Sequence, residues 1–415
     1  MLIVQKFGGS SVANAERIKR CAGRIKECYD KGNAMVIVLS AQGDTTDDLI
    51  EKAREISQTP SRREMDMLLS TGEQISVALM SIALQELGVP AVSLNAVQAG
   101  IVTTAAHSNA RFKKIKTERI IAELDKKNIV VITGFQGITE SGDITTLGRG
   151  GSDTTAVALA ASLNADICEI YTDVEGVFTA DPRAVRTARK LDEISYDEML
   201  ELACLGAKVL EKRSVELAKK YNISLVVRSS MSNASGTTVK AQSALKPMLV
   251  SGVAVDKDVA RVSITSISNV PGAASTIFSL LAKNRISVDI ILQSIGRAST
   301  LKDISFTVAK SDLNETMQIL KDNQAYISYK DISSDDSIAK LSVVGAGMES
   351  NSGIAADFFT ALSAAGVNIE MIATSEIKIS VLVNSNDADK GAIAAHNKFI
   401  NSTTLGTTIT QKEER

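Results

Sequence analysis

The sequence has only two histidines, His107 and His396, far apart in 415 residues, which argues against a histidine-based nucleophile triad or a multi-histidine zinc centre. Cysteine is equally sparse. Cys21, Cys28, Cys168 and Cys204 show no CxxC spacing, three of them sit among apolar helix positions or in an expected strand, and they read as buried thiols. Neither charge sign is in excess: 46 Lys and Arg face 48 Asp and Glu, for a net charge of −2, so no nucleic-acid partner is expected. No uninterrupted apolar run approaches the ~18 residues of a membrane span. The amino terminus enters a strand-like segment with no signal-peptide pattern, so a cytoplasmic location without a membrane partner is expected. The common phosphate-binding signatures are missing as well: there is no G-x-x-x-x-G-K-[ST], no G-x-G-x-x-G opening the first helix, and no protein-kinase motif set.

What is present is a regular alternation. A chain of this length that is 44% hydrophobic can bury large cores, and two or three domains are expected. Short β-rich apolar runs at Ile3-Val4, Val36 to Leu39, Ile129 to Ile132, Ile167 to Tyr171 and Leu225 to Val227 read as strands buried on both faces. Helical patterns lie between them, the clearest placing Ile18, Cys21, Ala22, Ile25, Cys28 and Tyr29 on one face. The pattern implies a mostly parallel α/β sheet covered by helices, in which ligands bind beyond the carboxyl ends of the strands. Glycine and polar residues cluster there: Lys6 to Ser11, Ser40 to Asp44, Gly134 to Gly137 and Thr172 to Gly176. Several such loops together suggest one anionic ligand.

The densest cluster is TLGRGGSDTT, from Thr146 to Thr155, which runs straight into a helix-compatible segment. Glycine lets the backbone approach a ligand, the first helical turn offers unpaired amides, and Arg149 adds a planar fork suited to carboxylate or phosphate. A helix capped by Ser152 or Asp153 would read the same locally.

Four blocks carry a resemblance that breaks this tie. KFGGSS (6–11), the segment from Met65 to Glu73, TTLGRGGSDTTAVALA (145–160) and YTDVEGVFTADPR (171–183) resemble the aspartokinases of the amino acid kinase superfamily, in the family's order and over nearly the whole chain. The resemblance implies ATP- and Mg²⁺-dependent phosphorylation of the β-carboxylate of L-aspartate. A carboxylate nucleophile is already ionised at neutral pH, so no general base is needed, and the scarcity of histidine is accounted for. The resemblance makes Lys6 and Asp153 catalytic and puts Ser40, Thr46, Glu73, Arg149, Gly150, Gly151 and Ser152 at the substrate. At the nucleotide it puts Lys6, Phe7, Gly8, Gly9, Thr172, Asp173, Phe178, Arg183 and Lys208. No metal-ligating side-chain set is expected, the Mg²⁺ arriving with ATP.

Composition shifts to Ser, Asn, Ala, Gly and Lys over 231–247, a linker pattern that bounds a kinase domain at 1–230. Beyond it the chain repeats at an offset of about 80 residues, too long for an ordinary solenoid. Gly272 aligns with Gly353, Phe278 with Phe359, Asp289 with Glu370 and Ile291 with Ile372. Each copy reads as a ferredoxin-like βαββαβ unit, and the pair resembles ACT domains, expected at 248–335 and 336–415, with the last strand free to return to the first unit. The resemblance places an end-product amino acid, lysine and/or threonine, near Asn269, Gly272, Ala274, Gln293, Asn368, Ile369 and Glu376. Relatives often carry Asp where this chain has Asn269. ACT pairing between chains implies a homo-oligomer or a catalytic and regulatory subunit assembly, with Met248 a possible separate start. Two other functions stay open at this level: a kinase for another carboxylate such as glutamate, and a non-catalytic amino acid sensor.

Overall fold

The computed structural model describes residues 1–148, 150–204, 209–241, 249–295, 300–348 and 351–401. The chain divides into two compact units. Met1–Phe178, Arg189–Cys204 and the chain through Lys240 form the first; Thr179–Ala188 and the carboxyl-terminal part form the second.

The first unit is built on an eight-stranded sheet. Its spatial order is Glu193–Ser195, Thr237–Lys240, Leu225–Ser229, Ile167–Thr172, Leu2–Phe7, Ala34–Leu39, Ile129–Thr133 and Ala91–Leu94. All neighbours are parallel except Leu225–Ser229 with Thr237–Lys240. Met35 to Leu39 and Ile129 to Ile132 are wholly buried, as continuous apolar runs covered on both faces must be. The helix Ala15–Tyr29 opens with Asn14 accepting from the Arg17 amide at 3.0 Å and buries Ile18, Cys21, Ala22 and Ile25, the expected face. A smaller four-stranded sheet, ordered Phe112–Ile115, Ile101–Thr103, Gln136–Ile138 and Ile144–Thr146, carries the hairpin that precedes the 148–151 glycines.

One described helix, Arg62–Glu86, is long and apolar enough to cross a membrane by length and composition alone. Its buried face carries Asp66, Ser70 and Glu73, and half of its most apolar window lies inside the protein. It is a core helix of this unit.

Two boundaries differ from expectation. Within the expected linker, Thr237–Lys240 is a strand: Gly236, at φ +82°, turns the chain so that Thr237 to Val239 pair antiparallel with Val227 to Leu225. Four residues are too few to show a period, so composition alone read as linker. Residues 242–248, Met248 among them, and 402–415 lie outside the described residues. Thr179–Ala188, expected in the kinase domain, packs Ala180 and Val185 into the core of the second unit with Leu341, Phe358 and Leu362.

The second unit contains the repeat. The helices Ala273–Lys283 and Ile354–Ala364 each start after a left-handed glycine, Gly272 at φ +99° and Gly353 at φ +102°. The first repeat is a contiguous sheet ordered Ile291–Ile295, Leu301–Val308, Ala260–Ser268 and Asp331–Asp335. The second is not contiguous. Its order is Gly252–Asp256, Ile338–Val344, Lys378–Asn384 and Met371–Ser375, so its edge strand comes from the chain before the first repeat. The expected division at 335/336 is thus corrected: 252–256 belongs with the second sheet, and the first repeat is inserted within the second. Reciprocal ion pairs join the two, Arg261 to Glu370 at 3.4 Å and Lys340 to Asp289 at 2.5 Å, around a small core of Val259, Ile290, Ile338, Met371 and Leu382.

Candidate active site

The carboxyl ends of the first four of the expected strands bring four loops together. A methyl group on Gly9 would sit 2.7 Å from the Ala41 carbonyl, and one on Gly134 would sit 2.6 Å from Ser152 Oγ, so both glycines are required by close approach. The Gly8 amide donates to the Tyr171 carbonyl at 3.2 Å, tying the first loop to the fourth.

Lys6 is the penultimate residue of the strand Leu2–Phe7 and points its ammonium at Asp153 Oδ1, 2.5 Å away, with both side chains almost buried. Asp153 lies in the first turn of the helix Gly151–Ser162. The N-cap of that helix is Gly150, at φ +68°, and no side chain caps it. The capped-helix alternative therefore fails: Ser152 and Asp153 are inside the turn, and the helix end faces the glycine loop with its amides and partial positive charge.

Glu73 is 2% exposed and accepts from the Ala41 amide at 3.1 Å. Burial pushes its carboxyl up from 4.5 to about 7, against the lowering effect of its backbone hydrogen bonds and of Gln136. A buried carboxylate without a cation partner among the described residues suits a ligand ammonium. Ser40 is half-buried, its amide bonded to the Phe7 carbonyl at 3.2 Å, and Thr46 lies half-buried in the first turn of the helix Thr45–Ile56. Arg149 and Lys208 lie outside the described residues.

Of the residues expected at the nucleotide, Gly8 and Gly9 follow Lys6, and Thr172 and Asp173 sit at the end of the neighbouring parallel strand, with Asp173 exposed. Phe178 is half-buried and bridges to Lys190. The Phe7 ring is wholly buried and stacked on Tyr171 at 4.6 Å, leaving only its backbone for a ligand. Arg183 falls in the second unit, its guanidinium paired with Asp181 at 2.8 Å. In the repeat, Asn269, Gly272, Gln293, Asn368 and Glu376 are exposed, with Ala274 and Ile369 half-buried.

Three residues at the site escaped the sequence reading. Gln136 donates to the Ser70 carbonyl at 3.0 Å and to Glu73 Oε2 at 3.4 Å. Glu211 packs against Gly150, where a methyl group would meet its Cγ at 2.4 Å, and burial and Asp153 together raise its carboxyl above the usual range. Asp66, two helical turns before Glu73, is the third. The spacing of seven between two acidic residues on one apolar helix was the available signal.

A chain that holds a lysine–aspartate pair between glycine loops at the end of a parallel sheet is an amino acid kinase in architecture, and the model of the amino acid kinase family matches residues 1–229. The ACT domain model matches 262–324 and 341–399. An aspartokinase of Bacillus sp. (strain MGA3) is 51% identical over 399 residues, covering 96% of this chain and 97% of that protein. Crystal structures of E. coli aspartokinase III are similar at 26% identity. The complex with aspartate and ADP (R-state) has a TM-score of 0.81 over 96% of this chain and 99% of that one. The complex with lysine and aspartate (T-state) has 0.76 over the same shares. The chain belongs to the aspartokinases.

Proposed function

We infer that the chain transfers the γ-phosphoryl group of ATP to the β-carboxylate of L-aspartate, giving 4-phospho-L-aspartate and ADP, under feedback control by an amino acid bound at the ACT repeat. The observation that carries the reading is the Lys6–Asp153 pair beside the glycine loops, with Glu73, buried on the helix Arg62–Glu86, accepting from the Ala41 amide of the adjoining loop. The substrate carboxylate needs no base, so the protein's work is positioning and charge neutralisation. Lys6 faces the phosphoryl group in flight, with Asp153 fixing the ammonium's direction. Glu73 takes the substrate ammonium, Arg149 a carboxylate, and Ser40, Thr46, Gly150, Gly151 and Ser152 supply hydrogen bonds. Gly8, Gly9, Thr172, Asp173, Phe178 and Lys208 hold the nucleotide. The Mg²⁺ we propose arrives with ATP, carried chiefly by its phosphates. When bound, that ion neutralises phosphate charge.

Lysine and/or threonine are the effectors we propose, bound near Asn269, Gly272, Ala274, Gln293, Asn368, Ile369 and Glu376. The complex of E. coli aspartokinase III with lysine supports the first of these. Assembly through the ACT repeat, as a homo-oligomer or with a separate regulatory subunit, is part of the same proposal. Glutamate as substrate and a catalytically dead sensor are disfavoured by the full-length aspartokinase relatives and by the intact Lys6–Asp153 pair. Trapping the acyl phosphate with hydroxylamine, with aspartate and then glutamate as acceptor and with lysine and threonine added singly and together, tests the whole. Equal trapping with glutamate, or none with aspartate, would refute it.

A further inference from the structure

Asp66 is completely buried, and the reaction does not use it. Its Oδ2 lies 2.9 Å from His107 Nδ1, its Oδ1 accepts from Thr146 Oγ1 at 2.7 Å, and both oxygens accept from the Ser108 amide at 3.0 and 3.1 Å. No lysine or arginine pairs with it among the described residues. So many donors on one inaccessible carboxylate give it a fixed position, and through it fix the groups that donate.

Those groups bracket the glycine loop. Thr146 ends the strand that runs into Leu147 and Gly148, and it pairs across the hairpin with Gln136, whose side chain returns to the Ser70 carbonyl and Glu73. Asp66, Ser70 and Glu73 occupy one buried face of the helix Arg62–Glu86. That helix therefore grips the hairpin at two register partners, Thr146 and Gln136. From the other side Arg213 donates to the Leu147 carbonyl at 3.2 Å and to Asn109 Oδ1 at 2.9 Å, next to Ser108. Ser108 itself is held at φ +65°, a left-handed conformation rarely adopted by serine, which is consistent with the Asp66 oxygens over-determining its amide.

We propose that Asp66 is a positioning residue for the aspartate pocket: through Thr146 and Ser108 it sets the height of the glycine loop at Leu147, Gly148, Gly150 and Gly151 relative to Glu73, without touching substrate. This rests on the proposed assignment of that loop to aspartate. Asp66→Asn replaces an acceptor oxygen with an NH₂ donor facing Thr146 or His107. Because small misplacements cost heavily in an oriented site, KM for aspartate should rise about tenfold or more while KM for ATP stays within about twofold. Thr146→Val, close to isosteric, should move the same parameter in the same direction. Thr146→Ser, which keeps the hydroxyl, should restore it.

Steady-state kinetics with each substrate varied, run well below the melting temperature of every variant, make the test. If both KM values shift together, or Thr146→Val matches the parent while Thr146→Ser does not, Asp66 is only structural and the inference is overturned. Should Asp66→Asn fail to fold, the Thr146 pair decides alone. Absence of aspartate-dependent turnover in the parent would remove the functional reading itself; normal parental turnover with unmoved variants removes only this inference.

Discussion

Lowering the pH should weaken aspartate binding through one residue. Glu73 is raised to about 7 because burial strips water from its carboxylate, and its neighbours are amide donors with no cation among the described residues. The sign follows directly. A carboxyl raised in the folded state contributes stability that is fully present below its unfolded value near 4.5 and lost as pH rises through about 7, a difference of roughly 3 kcal/mol. In the free enzyme at pH 8 that carboxylate is ionised and uncompensated. An aspartate ammonium supplies the missing charge, so binding should favour the ionised form and pull the titration downward. The substrate's own carboxylates and ammonium do not titrate between pH 6 and 8. KM for aspartate, measured by initial rates of ADP formation at saturating ATP, should therefore rise about tenfold from pH 8 to pH 6. Glu73→Gln should bind aspartate poorly at both pH values and show no slope. Its melting temperature should also fall less than the parent's between pH 6 and 8. A flat profile in the parent, or the same slope in Glu73→Gln, would refute the assignment of Glu73 to the ammonium.

Lys6→Ala should lower kcat by about 10²-fold or more, because a charge used at the moving phosphoryl group has no substitute there, and should lower the melting temperature by leaving Asp153 buried without its cation; near-normal kcat in the folded variant would remove Lys6 from the mechanism. Gly150→Ala meets both a left-handed φ of +68° and the Glu211 side chain at 2.4 Å, so KM for aspartate should rise, and adding Glu211→Ala should recover part of the loss. Phe358→Ala empties the fully buried centre of the second unit and should cost about 3–5 kcal/mol in denaturant unfolding of that unit. Asn269→Asp should alter the lysine and threonine inhibition curves while leaving effector-free activity nearly unchanged.

The parallel strands were legible because a strand covered on both faces must be apolar throughout, as Val36 to Leu39 and Ile129 to Ile132 are. The hidden strands were those whose identity lies in a distant partner. Nothing local in Gly252–Asp256 says that it pairs with Lys340 to Val344 rather than with the repeat that follows it. Lys6, Asp153 and Glu73 could be read because charged residues at strand ends or on an apolar helix need a reason. Gln136 and Glu211 could not, since their partners are a carbonyl, a carboxylate and a glycine contributed by remote segments. Asp66 sits within the Met65-to-Glu73 segment yet has no role visible in the sequence, because its donors come from Ser108, His107 and Thr146.

The placement of Thr179–Ala188 bears on how the polypeptide can be divided. These residues follow directly on the Thr172-to-Phe178 segment, yet Ala180 and Val185 are buried with Leu341 and Phe358, and Thr179 Oγ1 lies 2.8 Å from the Nε2 of the fully buried His396. A protease cut or a stop codon after residue 240 would therefore not release an intact amino-terminal half. It would leave a ten-residue stretch with its apolar side chains in water and its threonine without the imidazole, directly in line with Phe178. Gene fusions and domain exchanges in such a chain must carry the 179–188 segment and its recipient core together, so the unit of inheritance here is larger than either compact unit.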